Sequence, residues 1–158
     1  LGDLLQEQGY KQVFLMGSDA GFGGRRHYIT EHGGYEIGDT KAMIAAGKLP
    51  EDYAQWWGYE DTKLFSFAKE TLTELAAQDQ PFNMTMLTAD THFPDGYVCR
   101  LCENTYEEQY GNVMVCSDNQ LAVYAVRIAV AAEITLTASL IQGSIFKGTI
   151  VLATISQS

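Results

Sequence analysis

The segment from Phe82 to Tyr97 restricts the possible folds more than any other part of the chain. Its first half, Phe82-Asn-Met-Thr-Met-Leu-Thr88, is a short, largely apolar run with Pro81 before it and Pro94, Asp95 and Gly96 after it. Such a run reads as a buried strand that ends in a turn. The polar loop at its carboxyl end carries His92, and that end is where open α/β sheets place their ligand groups.

A second strand-to-loop junction lies upstream, where Gln12 to Met16 gives way to Gly17-Ser-Asp19-Ala-Gly-Phe22-Gly-Gly-Arg25-Arg26. Between the two junctions, Leu64, Ala68, Leu72 and Leu75 follow one another at spacings of four and three. That spacing predicts one apolar helix face, with Asp61 as N-cap and an end before Pro81. Leu1 to Gln8 reads as the end of a helix stopped by Gly9, and a further helix is expected through Tyr106 to Tyr124. Strands alternating with helices imply an α/β fold with a doubly wound, mainly parallel sheet.

The two loops hold the candidate chemistry. Gly17, Gly21, Gly23 and Gly24 permit close backbone approach and positive φ, although a glycine-rich loop after a strand is commonly an ordinary turn. It is no dinucleotide fingerprint, because Arg25 and Arg26 follow where small helix-packing residues would be needed. An arginine fork can give two parallel hydrogen bonds to a phosphate and stays charged; the plain alternative is a solvated surface pair. His92 has the same two readings, a surface side chain or a group that bonds a phosphoryl oxygen and moves a proton. His27 and His32 read as ordinary loop or surface residues. Trp56 and Trp57 would wall a groove or pack between loop and sheet.

Taken in order, the Asp19 loop, the segment Tyr53-Ala-Gln-Trp-Trp-Gly-Tyr-Glu-Asp61 and the His92 loop resemble the catalytic domain of the lipoteichoic acid synthase and phosphoglycerol transferase family, sulfatase-like members of the alkaline phosphatase superfamily. The resemblance covers residues 1 to 120, a partial catalytic domain, and leaves residues 121 to 158 as a divergent or disrupted continuation. It implies that Asp19, Phe22 and Arg25 match the family's aspartate, aromatic and arginine, the arginine gripping glycerol phosphate, and that His92 bonds the phosphoryl group. The expected substrate-binding residues are therefore Asp19, Arg25 and His92.

The same resemblance implies a threonine nucleophile and a glutamate metal ligand upstream, and an Asp-His pair after a later strand. Phe146 to Ala153 looks like that strand, but Thr154-Ile155-Ser156 stands where Gly-Asp-His is expected. No catalytic residue and no manganese or magnesium site is thus expected in this chain alone, although the full-length family uses such a metal. The expected substrate is an anionic glycerol-phosphate or sulfate ester, handled at the extracellular face of the cell membrane. Any membrane anchor is expected outside this sequence, whose most apolar region, Leu121 to Ile155, is broken by Arg127, Glu133, Gln142 and Lys147.

A net charge of -10 argues against a nucleic-acid partner or binding to an anionic membrane surface. Cys99-Arg-Leu-Cys102 has zinc-ribbon spacing, but no second pair follows, and Cys116 alone cannot complete four ligands. For an extracellular domain a disulfide is the more natural use, Cys99 or Cys102 with Cys116. Beyond Asp118 the only acidic residue is Glu133, and the helix expected over Leu121 to Ala132 has no clear polar face, so the tail is expected to pack loosely. Two function classes stay open: a fragment of a phosphoglycerol transferase or sulfatase-type hydrolase, and a non-catalytic α/β module that binds an anion through Arg25 and His92.

Overall fold

The computed structural model describes residues 1–131 and 148–154. Four strands, β1 (Lys11–Met16), β2 (Glu36–Gly38), β3 (Phe82–Thr88) and β4 (Gly148–Thr154), form one sheet in the order β2-β1-β3-β4. Every pair is parallel, so all four carboxyl ends lie on one rim. The helices are α1 (Gly2–Glu7), α2 (Arg25–Glu31), α3 (Thr40–Ala45), α4 (Asp61–Ala76) and α5 (Gln109–Ala131). This is the α/β, mainly parallel architecture expected of an alkaline phosphatase-like fragment.

Strand register sorts the side chains by face. Val13 pairs with Met84 and Leu15 with Met86, and these four are buried with Phe82 against Leu64, Phe65, Ala68, Leu72 and Leu75 of α4. The four residues chosen from helical spacing thus all face the core, which is what a 3.6-residue period requires of one apolar stripe. Tyr124 of α5 is buried beside Phe65, ring centroids 5.0 Å apart. The opposite face of β1 and β3 is mixed, with Phe14, Met16 and Leu87 beside Gln12, Asn83 and Thr85. Gln12 donates to the carbonyls of Gly2 and Gly33, and Asn83 donates to Gln12 Oε1 and the Tyr35 hydroxyl. These bonds fix α1 and the turn before β2 to the sheet.

Three sequence expectations change. Asp61 is not the N-cap of α4; Glu60 takes that position, and Asp61 is the first helical residue. The connection from β1 to α4 is not a loop but carries α2, β2 and α3. The expected helices Tyr106 to Tyr124 and Leu121 to Ala132 are one helix, α5. Within the tail, β4 lies beside β3, with Thr85 opposite Val151. The loose packing expected of residues 121–158 falls largely on residues 132–147 and 155–158, outside the described residues.

A glycine seam brings the rim together. Tyr59 N donates to Gly17 O at 2.7 Å, and the Thr40 hydroxyl donates to the same carbonyl at 2.8 Å. A Cβ on Gly58, whose φ is +153°, would lie 2.1 Å from Gly17 O and 2.2 Å from Thr40 Oγ1. Overlap and strain add at this position. Gly58→Ala is therefore expected to lower the unfolding free energy by about 3 kcal/mol, read as an earlier urea midpoint.

Candidate functional site

The loops after β1 and β3 meet the Trp56-Trp57 segment over one small cavity of about 120 Å³, lined by Ser18, Phe22, Arg25, Trp57, His92 and the end of β3 at Leu87 to Ala89. Parallel pairing accounts for the meeting, since Met16 sits opposite Leu87 and both chains leave the sheet on the same side.

Arg25 opens α2, just after Gly23 and Gly24, whose φ values are +64° and +73°. Two successive left-handed residues turn the chain sharply, and glycine adopts that conformation without a Cβ penalty. The Arg25 guanidinium donates from Nε to Phe22 O at 3.0 Å and reaches Ser18 Oγ at 3.4 Å. It also lies over the Phe22 ring, 5.3 Å from the centroid. An arginine has five N–H donors in a rigid fork, so these contacts orient the group and leave further donors for a ligand.

Arg26, its neighbour in sequence, does something else. It pairs with Asp39, whose side chain is fully buried. Asp39 also accepts from Ala20 N at 2.9 Å and caps α3 through Ala42 N at 3.0 Å. One carboxylate thus joins the β1 loop, α2 and α3, and Arg26 supplies its counter-charge.

His92 lies across the cavity from the β1 loop. Its Nδ1 is 2.8 Å from Phe93 O, and because a carbonyl only accepts, Nδ1 carries the proton in the neutral ring. Nε2 is then the acceptor. The ring packs on Trp57, centroids 4.6 Å apart, and Trp57 continues to Phe22 at 5.8 Å. Trp56 has φ +58°, an uncommon conformation for a residue with a side chain. Its indole N–H is held by Ala89 O at 3.0 Å, which ties the tryptophan segment to the His92 loop.

Of the three residues expected to bind substrate, the structure brings Arg25 and His92 to one cavity and places Asp19 beside it. The Asp19 carboxylate bonds Lys41 Nζ at 2.7 Å and Gly21 N at 2.8 Å. These contacts, the Lys41 bond first, hold its pKa below the usual carboxylate value. Asp19 therefore shapes the loop that carries Arg25. Gly17 likewise makes its close approach to Tyr59 rather than to the cavity. His27 and His32 face Glu31 and Asp3 at the surface. Ser18 is a lining residue that the sequence did not single out, whereas Trp57, one of the two tryptophans expected to wall a groove or pack between loop and sheet, lines the cavity.

Beneath the His92 loop, Asp61 and Asp90 hold each other's backbone. Asp61 accepts from Ala89 N at 2.8 Å and Asp90 N at 3.1 Å, while Asp61 N donates to Asp90 Oδ1 at 3.1 Å. Asp90 Oδ2 is buried without a hydrogen-bond partner. Burial, and after it the Asp61 charge, pushes Asp90 up to about 8. Burial raises Asp61 as well, against its two backbone donors. This exchange fixes the start of α4 to the end of β3.

The only cluster of three or more His, Cys, Asp or Glu side chains among the described residues is Cys99, Cys102 and Cys116, and thiolates are poor partners for manganese or magnesium. Nor is any helix among the described residues long and apolar enough to cross a membrane.

Comparison with known proteins places the chain. A family model described as Sulfatase matches residues 1–132. A phosphoglycerol transferase I of Xanthomonas campestris pv. campestris is 34% identical over 134 residues, 81% of this chain and 19% of the relative. One from Escherichia fergusonii is 28% identical over 137 residues, 81% of this chain and 17% of the relative. The chain thus spans about a fifth of the length of the curated relatives it matches.

Proposed function

Since the chain belongs to the sulfatase family of enzymes, we propose that it carries the phosphate-gripping wall of a phosphoglycerol transferase centre. One observation carries the reading: Arg25 and His92, from loops after two paired parallel strands, line a single cavity. The Arg25 fork holds two oxygens of the ester's phosphoryl group and offsets its charge. The Nε2 of His92 accepts the proton of the attacking hydroxyl, and its bond to Phe93 O keeps the ring in the tautomer that can do so. Trp57 and Phe22 form an apolar side wall that excludes water and strengthens both contacts.

In this reading the ester is a glycerol phosphate, moved as in lipoteichoic acid synthases to a polymer or glycan hydroxyl at the outer face of the cell membrane. Residues 1–120 act as the partial catalytic domain and residues 121–158 as its continuation, which is supported by α5 running through the boundary. A divalent ion would stabilise the charge of the transferred group, but the described residues offer no oxygen-donor set to hold one. The chain alone is accordingly inactive.

The test is a titration of the chain with glycerol 1-phosphate, read by tryptophan fluorescence, with glycerol as control. Saturable quenching by the phosphate ester alone, lost in His92→Ala, is the expected result. A response that glycerol reproduces, or that survives the substitution, would refute the reading. In the same samples calorimetry is expected to show no stoichiometric manganese or magnesium binding and no turnover of phosphate or sulfate esters. Turnover by the isolated chain would overturn the inactivity.

A further inference from the structure

We propose that Cys99, Cys102 and Cys116 form a three-thiolate binding site for a soft divalent cation, zinc, separate from the Arg25–His92 cavity. Cys99 and Cys102 come from the loop between β3 and α5, and Cys116 comes from α5 itself. Their Sγ atoms all lie within 4.8 Å of one another, and Cys99 is 3.7 Å from both Cys116 and Cys102. Zinc takes thiolates at about 2.3 Å in tetrahedral geometry, which sets sulfur pairs about 3.8 Å apart. The observed spacing is already close to that edge length.

N–H donors reach two of the three sulfurs. Leu101 N points at Cys99 Sγ from 3.4 Å, the backbone bond that a tight C-x-x-C turn offers its first cysteine. The Gln120 amide lies 3.6 Å from Cys99 Sγ and 3.5 Å from Cys116 Sγ. These N–H groups can donate to bound thiolates and orient them, the task of an outer ligand shell. Among the described residues no carboxylate or imidazole joins the cluster, and a set of soft ligands alone selects zinc over manganese or magnesium.

Access and a fourth position are both available. Cys116 and Gln120 line an open cavity of about 390 Å³, together with Lys69, Arg100 and Leu101. Water can complete the coordination from that side, and the two cations offset the excess charge of three thiolates on a divalent ion. The ion would fasten the C-x-x-C loop to α5. The same β3-to-α5 connection carries His92, so the site would steady the loop that supplies the phosphate-binding wall.

A disulfide is the competing use of these residues, and it would leave one sulfur of the three over. The deciding experiment takes the full chain, purified under reductant, and measures zinc content, zinc affinity against a chromophoric chelator, and thiol alkylation by mass. One zinc per chain is expected, with all three thiols shielded by zinc and all three alkylated after chelation. Cys102→Ser, at the half-buried member of the cluster, is expected to weaken zinc at least about a hundredfold, with the circular dichroism of the chelated wild type retained. Replacing zinc by cobalt should give a sulfur-to-metal charge-transfer band that the same variant loses. Absence of stoichiometric zinc, zinc retained by Cys102→Ser, or a mass two hydrogens short with a single reactive thiol would each overturn the proposal.

Discussion

Arg25→Ala is expected to lower the affinity of the chain for glycerol 1-phosphate about a hundredfold, while Arg26→Ala leaves that affinity within a few-fold and destabilises the fold instead. Two hydrogen bonds between charged groups, at about 1.5 kcal/mol each, account for the first effect. For the second, Arg26 is the cation paired with Asp39, a fully buried carboxylate. Removing the cation strands that charge, although Ala20 N and Ala42 N still donate to it. The expected loss is therefore about 2–4 kcal/mol of unfolding free energy. Arg26→Lys should recover part of it, because a point charge offsets Asp39 without the geometry of the fork. Ligand titration and urea unfolding on the same three variants separate the roles. If Arg25→Ala bound the phosphate ester like wild type, the cavity would not be the binding site.

The second large effect concerns Asp90, whose pKa is raised by burial and by Asp61 to about 8 in the folded chain. In the unfolded chain the group titrates near its ordinary value of 3.8. The folded state therefore holds a proton that the unfolded state has released. The stability this contributes is present in full below about pH 4 and is lost as pH rises through the folded value near 8. Over that window the slope approaches about 1.4 kcal/mol per pH unit for one proton. Asp90→Asn keeps the oxygen that accepts from Asp61 N and cannot ionise. It should flatten the profile and raise stability at pH 8 relative to wild type. Denaturant unfolding at several pH values reads this directly, and parallel profiles for wild type and variant would rule out Asp90 as the group responsible.

Much of the sheet was legible in the sequence because its signals are local. Phe82 to Thr88 coincides with β3, where Pro81 and the apolar run define a strand without help from distant residues. The stripe from Leu64 to Leu75 shows the face of α4 for the same reason. β2 escaped notice because Glu36, Ile37 and Gly38 are too few to show a period of two, and α2 and α3, of 7 and 6 residues, hold barely two turns. Side-chain partners are a different problem. Nothing near Asp61 reveals that it would bind the end of β3 rather than cap its own helix. The two adjacent arginines look equivalent until Asp39 is folded in beside one of them. Cys116 could not be brought to the C-x-x-C turn without the path of α5. The site was therefore readable as two loops, and its division into cavity-lining and supporting residues was not.

The parallel pairing of β1 with β3 has a consequence for the order of assembly. β1 cannot find its central partner until the chain has run through α2, β2, α3 and α4, whereas those helices close over short distances. Pairings so far apart in sequence carry the entropy of a long loop and form slowly. The Arg25 loop hangs from β1 and the His92 loop from β3, so the two walls of the cavity share the fate of that one ladder. During synthesis the Arg25 loop would emerge with no opposing wall, and the proposed grip on a phosphate would arrive in a single late step.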